Sequence, residues 1–239
     1  MNATLAIAKR EFRTFFNSPI AYIVLGLFLL LSGWLYFSTV FIAGQASLRA
    51  FFGLAPAFLM VFAPALTMRL IAEERKSGTM ELLLTLPVRD WEVVLGKFLA
   101  ALGTWGVGLL FSVPFVLSVS SLTAAGTRFD WGPVVGGYLG LVLLGAAFLA
   151  LGLFGSALSK NQIIGLIVGF VLCFSFYIVD KVAMLLPASL GAILQFLSVD
   201  FHFDNIARGV IDTRDVVFYI SLTAAALVLT TRSVSGVRQ

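Results

Sequence analysis

The chain has 239 residues, 60% of them hydrophobic and only 12% charged, with a mean hydropathy of +1.03. Soluble domains carry about 25% charged residues, so this composition excludes a soluble globule and a disordered chain. One Cys and one His exclude an internal disulfide framework, a Cys-based zinc site and a His cluster.

Residues 1–18 read as an amphipathic helix. Leu5, Ala8, Phe12, Phe15 and Phe16 fall near one face, and Lys9, Arg10 and Arg13 lie elsewhere. Such a helix lies in the headgroup plane; a frayed tail is the alternative for so short a stretch. The stretch is not read as a cleavable signal, because no small-residue cleavage motif follows a short apolar core. Asn17-Ser18-Pro19 then turns the chain into a series of apolar runs. Six of them, at about 20–42, 50–71, 92–121, 132–158, 162–180 and 213–231, reach the length of about 20 residues that a membrane-spanning helix needs. They are continuously apolar, whereas barrel strands alternate. The expected fold is an all-α integral membrane protein, one domain over 1–239, with six transmembrane helices and an interfacial N-terminal helix. Pro56, Pro64 and Pro114 lie inside spans and are expected to kink or end helices there. Gly136 and Gly140, Gly152 and Ser156, and Gly165 and Gly169 are spaced by four, which lets helix backbones approach closely in lipid.

Six spans put both termini on one side. Eleven Lys and Arg fall on that side, from Lys9 to Arg238, against five on the other: Arg49, Arg128, Lys181, Arg208 and Arg214. The positive-inside rule then predicts cytoplasmic termini. The 16 basic residues are scattered between apolar runs and make no face for nucleic acid.

The densest polar stretch runs from Arg69 to Lys97, between spans two and three, with a cytoplasmic loop expected at 73–90. Gly78 is expected to stop the preceding helix. Thr79 is a plausible N-cap, and Glu81 stands in the following first turn. Leu82, Leu83 and Leu86 give a short apolar face before Pro87, and Asp90 is expected to cap span three. The leucines would rest on lipid or neighbouring helix ends, or dock into a cytoplasmic partner.

The run from Glu74 to Val88, ERKSGTMELLLTLPV, followed by Gly96-Lys97, resembles the signature of ABC-2 type permeases. The resemblance covers the whole chain and implies a type V exporter-like fold. The run from Phe203 to Asp215, FDNIARGVIDTRD, is similar to the gliding-motility-associated (GldF-like) subgroup. The resemblance implies a coupling helix within 73–88 that docks on a separate cytoplasmic ATPase dimer. Glu73, Glu74, Arg75, Lys76 and Glu81 would then form the polar rim, around Gly78 and Thr79. Leu82, Leu83 and Leu86, ending at Pro87, would form the apolar core. It further implies a bacterial cytoplasmic (inner) membrane location, a second permease that could be a different chain with a large extracytoplasmic domain, and ATP and Mg in the partner alone. A mechanotransmitter that moves an outside partner without passing a substrate is the competing function.

No Gly-x-x-x-x-Gly-Lys-Ser/Thr run is present; residues 155–160 come nearest and lack the second Gly. The chain is therefore expected to be non-catalytic, with no metal or cofactor of its own. No Asp, Glu or His falls deep in a span, where an ionisable group usually marks a proton or ion relay. Residues 182–212 are expected to form an outer segment with a short helix in or dipping into the outer leaflet, because Leu190, Ile193, Leu194 and Leu197 have helical spacing. Asp212 or Thr213 is expected to cap span six, His202 to be structural, and Asp180 and Lys181 to pair at the interface.

Overall fold

The computed structural model describes residues 3–43, 47–80, 88–122 and 130–236, with backbone alone for residues 43, 188–190 and 193. The described residues form α-helices and connecting turns: α1 Ala3–Asn17, α2 Pro19–Ala43, α3 Arg49–Ser77, α4 Asp90–Leu122, α5 Trp131–Ala157, α6 Gln162–Ala183, α7 Ala188–Gln195, α8 Val199–Ala207 and α9 Thr213–Ser235. Helices α2, α3, α4, α5, α6 and α9 are long and apolar enough to cross a membrane. Each contains most or all of one of the six predicted spans, and they run up and down, so that α1 and the last turns of α3, α5 and α9 gather at one end.

Helix α5 sits at the centre. Two thirds of its apolar stretch is buried, 67% against 17% for both α6 and α9. Glycines allow that central position. A Cβ on Gly140 would meet the Phe203 ring of α8 at 3.0 Å, and one on Gly155 would lie 2.5 Å from the backbone nitrogen of Gly169 in α6. All three predicted small-residue pairs therefore lie at helix contacts. Trp105 of α4 donates its indole N–H to the Leu141 carbonyl of α5 at 3.0 Å, and its ring meets Phe28 of α2 at 5.0 Å. An aromatic group of Tyr36, Phe51 and Phe115 closes α2, α3 and α4 together.

Pro56 and Pro64 lie inside α3 and Pro114 inside α4, and both helices continue through them. Tertiary packing on both sides holds the chain helical where one backbone donor is missing. Asp130, Asn161, Ser198 and Asp212 cap the starts of α5, α6, α8 and α9 with side-chain acceptors; for α9 the predicted Asp212 is the residue used. At the start of α4 the expectation fails. Asp90 is already the first helical residue, and Glu92 reaches back to the Arg89 N–H at 2.8 Å. This is one half of a capping box, with Glu at its third helical position.

At the opposite end, Lys181 bridges Asp180 at 3.3 Å and Asp200 at 2.8 Å. His202 is buried, with Nδ1 2.6 Å from Asp215, Nε2 3.1 Å from the Phe196 carbonyl, and its ring stacked on Phe218. Nδ1 thus holds α8 to α9, and Nε2 holds it to the end of α7, which is a structural role.

Candidate functional site

Helix α3 outruns the predicted span and continues through the charged residues to Ser77. Gly78 then ends it in the left-handed conformation at φ 71°, which glycine adopts without a Cβ penalty. Thr79 and Met80 resume helical backbone. Thr79 therefore belongs to the next element, and its hydroxyl lies 2.8 Å from that of Ser77. Met80 is buried in the core. Glu81, Leu82, Leu83, Leu86 and Pro87 lie outside the described residues.

The predicted rim residues divide into two groups. Glu73, Lys76, Gly78 and Thr79 are exposed. Glu74 and Arg75 are taken up inside the chain. Arg75 donates to the carbonyls of Ala157, at the end of α5, and of Ser233, near the end of α9. A cation suits both places, because helix C-termini present unpaired carbonyls and negative dipole ends. Ser233 adds a hydroxyl bond to the Ala157 carbonyl at 3.1 Å, and Ser235 donates to Asp90 of α4 at 2.7 Å.

Glu74 belongs to a second cluster. Lys97, 1% exposed in α4, places Nζ 2.7 Å from Glu74 and 3.3 Å from Glu11 of α1. Arg10 stands 2.6 Å from Glu11 and 3.6 Å from Glu74. Two carboxylates thus neutralise one buried ammonium, and the half-exposed Arg10 closes the group from the solvent side. Burial works against the charge of Glu11, but Lys97 and Arg10 outweigh it and hold its carboxyl below the usual range. Its hydrogen bond to Glu11 raises the Arg10 guanidinium further, against partial burial. A cavity of about 280 Å³ opens beside the cluster, with Arg69 over the Phe15 ring at 5.5 Å.

The inner face of α1 keeps most of the predicted one: Phe15 is buried, and Phe12 and Phe16 pack against the core. It also takes in Thr4 and Glu11, which are buried, whereas Leu5 is 58% exposed. The helix presses on α4 at Gly96, where a Cβ would meet Ile7 at 2.8 Å and the Thr4 carbonyl at 2.9 Å. With Glu11 on this face the buried Lys97 ammonium has two carboxylate partners rather than Glu74 alone, whereas Leu5 stays outside the packed face. Lys97 and Glu11 were not predicted as site residues. The available signal was a lysine two turns inside an apolar helix, together with an acid on the same helical face as Thr4 and Phe15.

A family model described as ABC-2 family transporter protein matches residues 5–235. The chain belongs to the ABC-2 transporter family. No curated protein matches it. Membership in the ABC-2 family and six apolar helices make it a multi-pass membrane protein, and members of this family are generally non-catalytic permeases. Within this ABC-2 member the charged arm of α3 is tied by side-chain contacts to α1 and α4 through Glu74 and to α5 and α9 through Arg75.

Proposed function

We propose that the chain is the permease subunit of an ATP-binding-cassette transporter of the bacterial cytoplasmic membrane, driven by a separate dimer of ATPase subunits that dock on the end carrying α1. The arm of α3 supports this reading best. A displacement applied at residues 81–87 would reach α1, α4, α5 and α9 through Glu74 and Arg75, so the spans would move as connected bodies. The exposed Glu73, Lys76 and Thr79 remain for polar rim contacts, with Leu82, Leu83 and Leu86 as the apolar core. The excess of Lys and Arg at this end supports cytoplasmic termini. ATP and Mg belong to the partner, since the sequence has no phosphate loop. A second permease completes the assembly. The similarity of Phe203–Asp215 to gliding-motility permeases supports a different chain with a large extracytoplasmic domain.

One observation favours the mechanotransmitter as a second reading. The buried hydroxyls of Ser32, Thr67, Thr104 and Thr230 each donate to the carbonyl four residues back in their own helix. These polar groups are satisfied locally and line no path, which suits a lipidic or bulky apolar substrate, or none.

Copurification tests the coupling. Burying a Leu is worth roughly 1.5–3 kcal/mol, and about 1.4 kcal/mol is one decade of affinity. Leu82→Asp with Leu83→Asp is expected to weaken ATPase association at least tenfold while membrane insertion survives. The purified chain alone is expected to hydrolyse no ATP. A double mutant that inserts normally and retains the ATPase at wild-type stoichiometry across dilution refutes the docking reading.

A further inference from the structure

Helix α3 changes character between its span and its charged arm. Pro64 has no N–H, so the ladder lacks its rung to the Met60 carbonyl. Two turns later a side chain from another helix enters the same ladder. Ser156 of α5 donates its hydroxyl to the Met68 carbonyl at 2.7 Å. Its Oγ also accepts from the N–H groups of Ile71 at 3.2 Å and Ala72 at 3.1 Å. In a regular helix the Met68 carbonyl and the Ala72 N–H face each other directly. Here one foreign hydroxyl serves both. A side chain inserted into the ladder is one of the few established causes of helix bending.

Ser156 had a local alternative. Ser32, Thr67, Thr104 and Thr230 satisfy their hydroxyls on their own helices, four residues back. Ser156 turns outward to α3 instead. The neighbourhood is close-packed: Ser156 is fully buried, and a Cβ on Gly152 would lie 2.9 Å from the Cα of Pro64. The backbones of α3 and α5 therefore touch at this level, and the rungs that share their polar groups with Ser156 fall between a packed span and an arm held by Glu74 and Arg75.

We propose that Ser156 is a positioning residue that makes residues 68–72 of α3 a hinge, about which the charged arm swings against the span when the ATPase moves. The idea rests on the coupling reading above. In Ser156→Ala the hydroxyl is gone, the Met68 carbonyl and the Ala72 N–H no longer share their bonding with α5, and α3 is expected to become stiffer at this level.

Spin labels at Lys76→Cys on the arm and Lys160→Cys beyond α5 measure the swing, with the buried Cys173 replaced by Ser. Distances are recorded on the permease–ATPase complex without nucleotide and with a non-hydrolysable ATP analogue. The wild type is expected to shift its distance distribution between the two states. Ser156→Ala is expected to lose at least half of that shift while the ATPase copurifies unchanged, and Ser156→Thr, which keeps the hydroxyl, to retain most of it. Ser156→Gly serves if Ser156→Ala does not fold, and is likewise expected to lose at least half of the shift. An undiminished shift in folded Ser156→Ala or Ser156→Gly overturns the hinge, and so does a wild type whose distance does not change. Failure of the wild-type chain to retain any ATPase overturns the coupling reading instead.

Discussion

Replacing Lys97 by Met removes the only charge in the Glu11–Glu74–Lys97 group that is fully buried, and keeps a side chain of similar length. Glu11 and Glu74 then face each other with a single cation, Arg10, whose side chain is 56% exposed. Breaking a buried ion pair from one side costs about 3–5 kcal/mol. Arg10 still compensates from the solvent side, so the lower end applies, about 3 kcal/mol. At about 2–4 °C per kcal/mol for a domain of this length, the thermal midpoint is expected to fall by roughly 6–12 °C. The triple variant Lys97→Met, Glu11→Gln, Glu74→Gln leaves no unpaired buried charge and is expected to regain most of the loss. Differential scanning fluorimetry in detergent reads both. A single variant within about 1 °C of wild type, or a triple variant no more stable than the single one, refutes the charge argument. The pH dependence follows from Glu11. Its folded carboxyl lies below its ordinary value of 4.5. Its contribution is therefore fully present above that value and lost as pH falls through the lowered one. The wild type is expected to lose stability in that acidic window, and Glu11→Gln to lose less.

Two further predictions concern packing and topology. Gly155→Ala puts a methyl group 2.5 Å from the Gly169 backbone nitrogen, whereas Gly26 has nothing within 4 Å. The first is expected to cost about 1–3 kcal/mol by forcing α5 from α6, and Gly26→Ala to be neutral or slightly stabilising; paired thermal melts decide, and equal midpoints would contradict the close crossing. Cysteine at Asp204 is expected to react with an impermeant thiol reagent in intact cells and cysteine at Lys76 is not, with the buried Cys173 silent in both; the reverse pattern inverts the topology.

The spans were legible because an apolar run of sufficient length has few other fates. The stop at Gly78 and the Asp212 cap were legible because each depends on one residue and its immediate neighbours. What stayed hidden depends on distant partners. Lys97 meets Glu11 across 86 positions and Glu74 across 23, and no local pattern encodes that meeting. Arg75 reads as a rim charge in sequence, yet two helix C-termini claim it, and their convergence is a property of the bundle. Leu5 shows the same limit from the other side. Periodicity put it on the apolar face, but the face that packs inward carries Thr4 and Glu11 beside Phe15, and Leu5 is left exposed. Ser156 read only as a small residue permitting contact, whereas its hydroxyl makes the contact specific.

The central place of α5 also bears on how the chain is made. Its neighbours α6, α8 and α9 are all translated after it, so when α5 leaves the ribosome its glycine-lined surface has only α3 and α4 to meet. A nascent chain halted before α9 leaves Arg75 without its Ser233 carbonyl and Asp90 without the Ser235 hydroxyl. Closure of this end of the bundle therefore waits for α9 rather than accumulating span by span. Chains halted before α9 are expected to reach the membrane and then be cleared by its proteases, which makes α9 a checkpoint of biogenesis.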